Sequence, residues 1–446
     1  MTIKNIPVGY KDSPLGIIPM EWEVKRLGEI TTQLKTFSFS REMLTNEEQF
    51  LMYIHYGDIH KSGEKSKIDL KYERLPFLKN GIVPDYEIKK DNFPLLIDGD
   101  IVMPDASEDY NGIGHAWNLQ NVGEYKVIGG LHTIAMRPNQ VFISIDYSAL
   151  MFGSYLTLRT IKKSAQGTKV YSISYNHIQN ALIPLPPLAE QEKIAEILTT
   201  WDKAIEKQTQ LIQKLELRKK GLMQQLLTGK KRLPGFTGEW EKVKLGEITT
   251  FLSCNTFSRE QMNNVSGNLK NVHYGDVLVK YSFIVDVSKY KDSIPYINDM
   301  IEYSPKDYVE SGDIVMADTA EDEMVGRACE FTNVGEQKII SGLHTILIRP
   351  IIQFAPMFLG YYLNSREYHK QILSIMQGIK VYSITKEALK NTTIKYPTMQ
   401  EQTAIANILS SCDEEIRLAQ DKLAAMQEQK KGLMQVLLTG KRRVSI

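Results

Sequence analysis

The chain writes one module twice, and any fold it adopts has to accommodate that module at both positions. Glu21-Trp22-Glu23 with Leu27-Gly28-Glu29-Ile30-Thr31-Thr32 returns as Glu239-Trp240-Glu241 with Leu245-Gly246-Glu247-Ile248-Thr249-Thr250, an offset of 218 residues. Ser40-Arg41-Glu42 and His55-Tyr56-Gly57-Asp58 return at the same offset, as Ser258-Arg259-Glu260 and His273-Tyr274-Gly275-Asp276. The offset then shortens, to 213 at Gly99 to Met103, to 212 at Gly130 to Ile134 and to 211 at Lys169 to Ile173. The slips fall between Lys61 and Asp98 and around Glu108 to Gly114, where the copies differ most. Loops vary there while the frame is kept.

Each copy ends in a long helical pattern. Ile194, Leu198, Trp201, Ile205, Gln208, Ile212, Leu215, Lys219, Leu222 and Leu226 follow a four-then-three spacing, the seam of a coiled coil. The same rhythm returns 211 residues on, from Ile405 through Leu409, Cys412, Ile416, Ala419, Leu423, Met426, Lys430 and Leu433 to Leu437. Pro186-Pro187 and Pro397-Thr398 mark the starts, Thr398 with Glu401 has the form of a capping box, and Gly229 and Gly440 close the ends. Each helix is a rod of about 60 Å. Lys219 and Lys430 interrupt the seams at matching positions, where the lysine heads either snorkel to water or dock a partner; both readings stand.

Within each half, Asp100 to Met103, Lys126 to Ile128 and Leu131 to Met136 read as strands, while Met151 to Ile161 and Pro356 to Ile375 read as helices. This is an α/β pattern with a modest sheet. At 446 residues the chain exceeds one ordinary core. A net charge of +1 gives no global basic signature, so a nucleic-acid surface has to be local. Cys254, Cys329 and Cys412 lack a C-x-x-C pair, which argues against a disulfide framework and a zinc site. Residues 1–20 carry no signal-like apolar stretch and no run approaches a membrane span, so a cytoplasmic location without a membrane partner is expected. Two modules on rods that pair antiparallel would form a pseudo-twofold molecule, suited to a twofold target such as duplex DNA or a twofold protein.

The chain resembles the specificity subunits of type I restriction-modification systems. The resemblance rests on Tyr10-Lys11-Asp12-Ser13-Pro14-Leu15-Gly16 with Glu21-Trp22, on Leu233-Pro234-Gly235-Phe236 with Glu239-Trp240, on Pro186-Pro187-Leu188-Ala189-Glu190-Gln191, and on Lys220-Gly221-Leu222-Met223-Gln224-Gln225-Leu226-Leu227-Thr228-Gly229-Lys230. It covers essentially the whole chain. It implies two similar α/β target recognition domains joined by two long antiparallel coiled-coil helices. The expected organisation is a segment at 1–20, recognition domains at 21–187 and 239–397, spacer helices at 188–228 and 398–439, a linker at 229–238 and a basic tail at 440–446. Each domain would read one half of a split, asymmetric site on double-stranded DNA, with the paired helices fixing the gap. Two adenine-N6 methyltransferase subunits and nuclease/translocase subunits would dock on the chain. S-adenosylmethionine, ATP and Mg would then sit on those partners, leaving this chain without a cofactor and non-catalytic. A specificity subunit of a related two-sided cutting system with a fused nuclease-methyltransferase partner, a coiled-coil adaptor that binds no DNA and a self-sufficient DNA enzyme are the competing readings.

The sequence supplies no catalytic machinery to set against that division of labour. Its one Pro-Pro pair stands at a helix start rather than in a methyltransferase motif, and there is no G-x-x-x-x-G-K-[ST]. Pro84-Asp85 with Glu87-Ile88-Lys89 has nuclease-like residue types, but they are contiguous and absent from the second copy. Phosphate contacts need Lys, Arg and small hydroxyls, while base edges need Arg, Asn, Gln or stacking aromatics. Candidate DNA-binding residues are therefore Phe39, Ser40, Arg41, His55, Tyr56, Thr168, Lys169 and Tyr171, with Phe257, Ser258, Arg259, His273, Tyr274, Lys380 and Tyr382. His132 and His344 recur as well; these histidines either hold a strand turn or touch DNA. The four aromatics at 39, 257, 171 and 382 are equally placed to be core residues. Base readout is expected where the copies differ, at 105–118 against 318–331 and 61–67 against 280–289.

Overall fold

A computed structural model of the chain describes residues 6–62, 65–88, 90, 93–298 and 303–445. It divides into two compact units, Met1–Lys207 with Leu423–Ile446, and Gln208–Lys422. In the first, a five-stranded sheet has the spatial order Thr31–Leu34, Thr133–Pro138, Ile101–Pro104, Trp117–Gln120, Lys67–Asp69. A second sheet of four strands runs Lys126–Gly129, Leu51–Ile54, Phe77–Leu78, Leu44–Thr45. The other unit repeats both orders, with Thr249–Leu252, Thr345–Pro350, Ile314–Ala317, Ala328–Thr332 and Ile284–Asp286 in its larger sheet.

Alternation along the middle strands explains why these runs form buried strands. Ile101 and Met103 enter one apolar cluster and Val102 another; Ile134 and Met136 divide from Ala135 in the same way. Ile314 and Met316 against Val315 and Ala317 repeat the pattern. With side chains alternating across the pleat, a strand apolar at every position is covered on both faces. One cluster joins the two sheets. The other seats the large sheet against helices Ile145–Met151 and Tyr155–Lys162 and the spacer-helix residues Ile194, Leu198 and Leu437.

The spacer helices span Leu188–Leu226 and Met399–Leu437, 39 residues each. Gly229 and Gly440 follow in left-handed backbone, at φ +68° and +69°. Every seam position is buried or half-buried, and exposed residues lie between them. The seam lysines are neither snorkelled nor free. Lys430 Nζ meets Asp202 at 2.5 Å in the first unit. In the second, Lys219 is paired with Asp413, while its ammonium lies 5.0 Å from the Phe283 ring centroid and 5.3 Å from that of Tyr361. Gln208 Nε2 donates to the Ala419 carbonyl at 2.9 Å inside the seam.

Two sequence expectations change. Glu401 does not close a capping box with Thr398; its carboxylate receives Arg232 Nε at 2.7 Å and Nη2 at 2.6 Å. The helices expected over 151–161 and 356–375 are each broken, because Ser154 and Ser365 start a new helix and the Ser365 hydroxyl accepts the Tyr368 N–H. The Glu-Gln dipeptide at each spacer-helix start has a structural reason. Gln191 Nε2 donates to the Pro186 and Phe142 carbonyls and its Oε1 accepts from Ser144 N; Gln402 does the same with Pro397 and Ala355 N. Glu190 accepts from Trp22 Nε1 at 2.9 Å and from Arg443 at 2.7 and 2.9 Å. No helix among the described residues is long and apolar enough to cross a membrane.

The Glu190 carboxylate is wholly buried, and a buried charge stripped of its partner is strongly destabilising. Arg443→Met should weaken the first unit by about 3 kcal/mol, seen as faster hydrogen exchange over residues 10–26 and 188–200. In the second unit Glu330 occupies the strand position that Asn118 holds in the first, each paired with an isoleucine, Ile314 or Ile101. Burial raises its pKa to about 7 despite hydrogen bonds from Met357 N and Gly360 N. The folded chain therefore holds a proton that the unfolded chain releases from about pH 4.5 upward. Glu330's contribution to stability is greatest at low pH and is lost as pH rises through about 7. Unfolding free energies of wild type and Glu330→Gln should shift relative to each other by about 3 kcal/mol between pH 5 and 8, in favour of the variant at pH 8.

Candidate nucleic-acid interface

In each half the strand that ends at residue 54 or 272 runs into a histidine whose ring caps a short helix. His55 Nδ1 accepts the Gly57 N–H at 3.1 Å, and His273 Nδ1 accepts that of Gly275 at 3.2 Å. Burial, and then the nearby guanidinium of Arg41 or Arg259, lowers both imidazole pKa values, which keeps the ring neutral and its Nδ1 an acceptor. These two histidines hold the turn, and at 9% and 8% exposure they present little surface.

The arginines are oriented by the same helix. Arg41 forks onto Asp58 at 3.1 and 2.6 Å, and Arg259 onto Asp276 at 2.9 and 2.8 Å. About half of each arginine side chain stays exposed, at 46% and 52%. The carboxylate raises the guanidinium pKa and fixes its plane. Tyr56 and Tyr274, first in these helices, stack near their histidines and meet the edges of His132 and His344 with centroids 5.5 Å apart in both halves. His132 Nδ1 stands 3.3 Å from Asp105 Oδ1, and His344 Nδ1 3.5 Å from Asp318 Oδ1.

Past the aspartate, Ala106–Ser107 pairs with Tyr171–Ser172, and Thr319–Ala320 with Tyr382–Ser383. The Thr168-Lys169 tip lies beyond Tyr171, whose ring meets that of Tyr110 with centroids 5.2 Å apart, and Lys380 is its counterpart in the second half. The tip needs glycine: Gly167 and Gly378 have φ +110° and +120°, and a Cβ there would lie 2.0 Å from the Val170 or Val381 carbonyl oxygen. Thr168, Lys169 and Lys380 are exposed. Ile379 at the second tip is 92% exposed.

Arg41 and Tyr56 are thus gathered around one short helix in the first half, as Arg259 and Tyr274 are in the second, while Thr168, Lys169 and Lys380 stand exposed on a hairpin tip. The candidate aromatics at 39, 257, 171 and 382 are packed inward. Phe39 packs on Phe37 and Tyr53, Phe257 on the cluster around Leu269, and Tyr171 and Tyr382 on the main cores, all half-buried. Ser40 and Ser258 precede the turns that carry the arginines. The variable segments are narrower than the sequence differences suggest. Ile113 to Asn118, Val325 with Ala328 to Glu330, and Tyr281, Val285 and Val287 are buried, apart from half-exposed His115, while Glu108 to Tyr110 and Glu321 to Glu323 are exposed. In the first half Arg41, Lys61, Lys65 and Trp117 line an open cleft of about 990 Å³; residues 63–64 of that segment, and Lys89 of the nuclease-like run, lie outside the described residues. Asp105 and Asp318 were legible as one duplicated residue, since they continue the 213-residue offset of the Gly99 block.

Comparison with known proteins agrees with this geometry. A family model described as "Type I restriction modification DNA specificity domain" matches residues 19–217 and 237–428. The type I restriction enzyme MjaVIII specificity subunit of Methanocaldococcus jannaschii is 25% identical, covering 96% of this chain and 94% of its own. The putative type I restriction enzyme MjaX specificity subunit of that organism is 26% identical, covering 98% and 97%. Two solved structures share the fold. A chain from work on complex assembly and conformational transition of the type I R-M system superposes with a TM-score of 0.56 at 18% identity, covering 95% of this chain and 99% of that one. The S subunit from M. genitalium gives 0.50 at 13%, covering 95% and 96%. The family match spans both halves and most of both spacer helices, so the chain belongs to the type I restriction-modification DNA specificity family and is a specificity subunit.

Proposed function

We propose that each half docks one half-site of a split, asymmetric duplex, and that the paired spacer helices set the gap between them. The observation that carries this is duplication with local divergence. The Arg–Asp fork, the capping histidine and the tyrosine–histidine contact recur in both halves, whereas from Tyr110 and Glu323 onward the adjoining loops differ in sequence and in length. A repeated frame positions the phosphates alike, and differing loops read different bases. Half-sites one turn apart, about 34 Å, present the same groove to both frames.

The chain supplies address rather than chemistry. Methyltransferase subunits carrying S-adenosylmethionine, and ATP- and Mg-dependent nuclease/translocase subunits, dock on it in the cytoplasm. Leu211, Leu217 and Leu418 lie off the seam and are exposed at 45%, 70% and 53%, which supports a protein partner along the second unit's helices.

Lys169→Ala and Lys380→Ala should each weaken binding to all duplexes alike and reduce the salt slope by about 1; an unchanged slope in filter-binding titrations removes the lysines from the interface. Single-molecule maps of N6-methyladenine in cells with the cognate methyltransferase test the whole reading. A split motif should appear only when this chain is present, and exchanging residues 21–187 for another recognition domain should change one half of it. A pattern indifferent to the chain overturns the proposal.

A further inference from the structure

His132 and His344 are held in a way that a purely structural role does not require. Both have φ +53°, a left-handed conformation that costs a non-glycine residue energy and that concentrates at functional positions. The turn is tied from two sides: Asp105 N and Asp318 N donate to the histidine carbonyls at 3.0 and 3.1 Å, and Thr133 and Thr345 Oγ1 each donate to the glycine carbonyl three residues back at 2.5 Å. The strained ring then faces outward, with 54% and 48% of the side chain exposed.

The Nδ1 side is occupied. Asp105 or Asp318 stands against it, and in the second half Thr319 Oγ1, which donates to Asp318 at 2.8 Å, lies 3.3 Å from Nδ1. With a carboxylate on the Nδ1 side, Nε2 is the ring nitrogen turned toward an incoming ligand. Once protonated, the ring presents Nε2–H as a fixed, charge-assisted donor. The groups facing His132 are Asp105, Tyr56 and His55, with the Arg41–Asp58 pair and Lys61 beyond. Those facing His344 are Asp318, Tyr274 and His273, with the Arg259–Asp276 pair beyond. Each arginine is already matched by its aspartate, so an added anion finds the imidazolium rather than a crowded field of like charge.

We infer that His132 and His344 are phosphate-binding residues, one in each half, which take up a proton as duplex DNA docks and donate Nε2–H to a backbone phosphate. The inference rests on the DNA-binding reading above and gives it a chemical signature, because binding then consumes protons from solvent. It also explains why the Asp–His–Tyr arrangement repeats within 0.2 Å in its ion-pair distance beside loops that diverge. Phosphates are alike at every site, and bases are not.

The test uses the full chain with a duplex carrying its mapped motif and a duplex of unrelated sequence, titrated at pH 6 and pH 8. Wild type should bind both duplexes about a hundredfold more tightly at pH 6 than at pH 8. Asparagine accepts left-handed backbone, so His132→Asn and His344→Asn keep the turn. Each should remove about half of the logarithmic gain and the double variant nearly all of it, with sequence preference intact. A gain that survives in the double variant overturns the inference. An independent readout on wild type is the imidazole ¹⁵N spectrum at pH 7.5. On adding DNA, two of the eight histidines should move to imidazolium positions, and an unchanged spectrum also overturns it. If wild type binds no duplex and methylation ignores the chain, the recognition reading itself falls. If binding and motif follow the chain while the pH gain survives, only the histidine assignment does.

Discussion

A lysine inside an apolar seam is tolerable only where an acid from the facing helix meets it, and that requirement governs how the spacer helices pair. Lys430 meets Asp202 and Lys219 meets Asp413, the same two residue types at positions 211 apart in each helix. A slip of the pairing by one heptad would leave both ammonium groups without an acid, opposite Ala406 and Ala195 in one direction and Gln420 and Thr209 in the other. Buried polar groups that fix register at some cost in stability are a familiar device of coiled coils. Here Gln208, reaching the Ala419 carbonyl, adds a second such constraint. The helices are thus locked by their least hydrophobic seam residues, while the leucines supply the burial.

The seam itself was legible in the sequence, because hardly any structure but a coiled coil sustains a period of 3.5 over ten positions. The lysine partners were not. Snorkelling and docking were the readings available for a lysine seen alone. The acid that resolves the matter is 194 residues away from Lys219 and 228 from Lys430. The same holds at the helix starts. Thr398 with Glu401 reads locally as a capping box, yet Arg232, 169 residues earlier, captures the carboxylate with a bidentate fork. A capping hydrogen bond contributes about 1 kcal/mol, and a buried carboxylate cannot forgo an available guanidinium for that.

Around the candidate interface the repeat marks the segments that build the turn, and says less about which of their side chains reach the surface. Repetition marked Arg41 and Arg259, His55 and His273, and the Lys169 and Lys380 tips. It could not distinguish a repeated residue that reaches the surface from one that builds the turn, since both recur at the same offsets. Burial draws that line. His55 turns inward to cap a helix, whereas His132, equally repeated, turns outward. Difference between the copies was an equally blunt guide, because Asn118 and Glu330 differ for reasons of packing. One bridges Gly99 and Ser148; the other caps the helix that starts at Phe358.

That last pair shows what the duplicated frame permits. The same strand position holds a neutral amide in one half and a carboxyl of raised pKa in the other, and the five-stranded sheet around it keeps its order. Changes inside the core are absorbed where a local donor or acceptor can be found, as Met357 and Gly360 provide for Glu330. The exposed residues Glu108 to Tyr110 and Glu321 to Glu323 meet no such demand, because water reaches the polar groups they carry. A frame tolerant within and unconstrained at its rim can change what it reads without changing how it docks, and a specificity subunit with two such frames can change either half independently of the other.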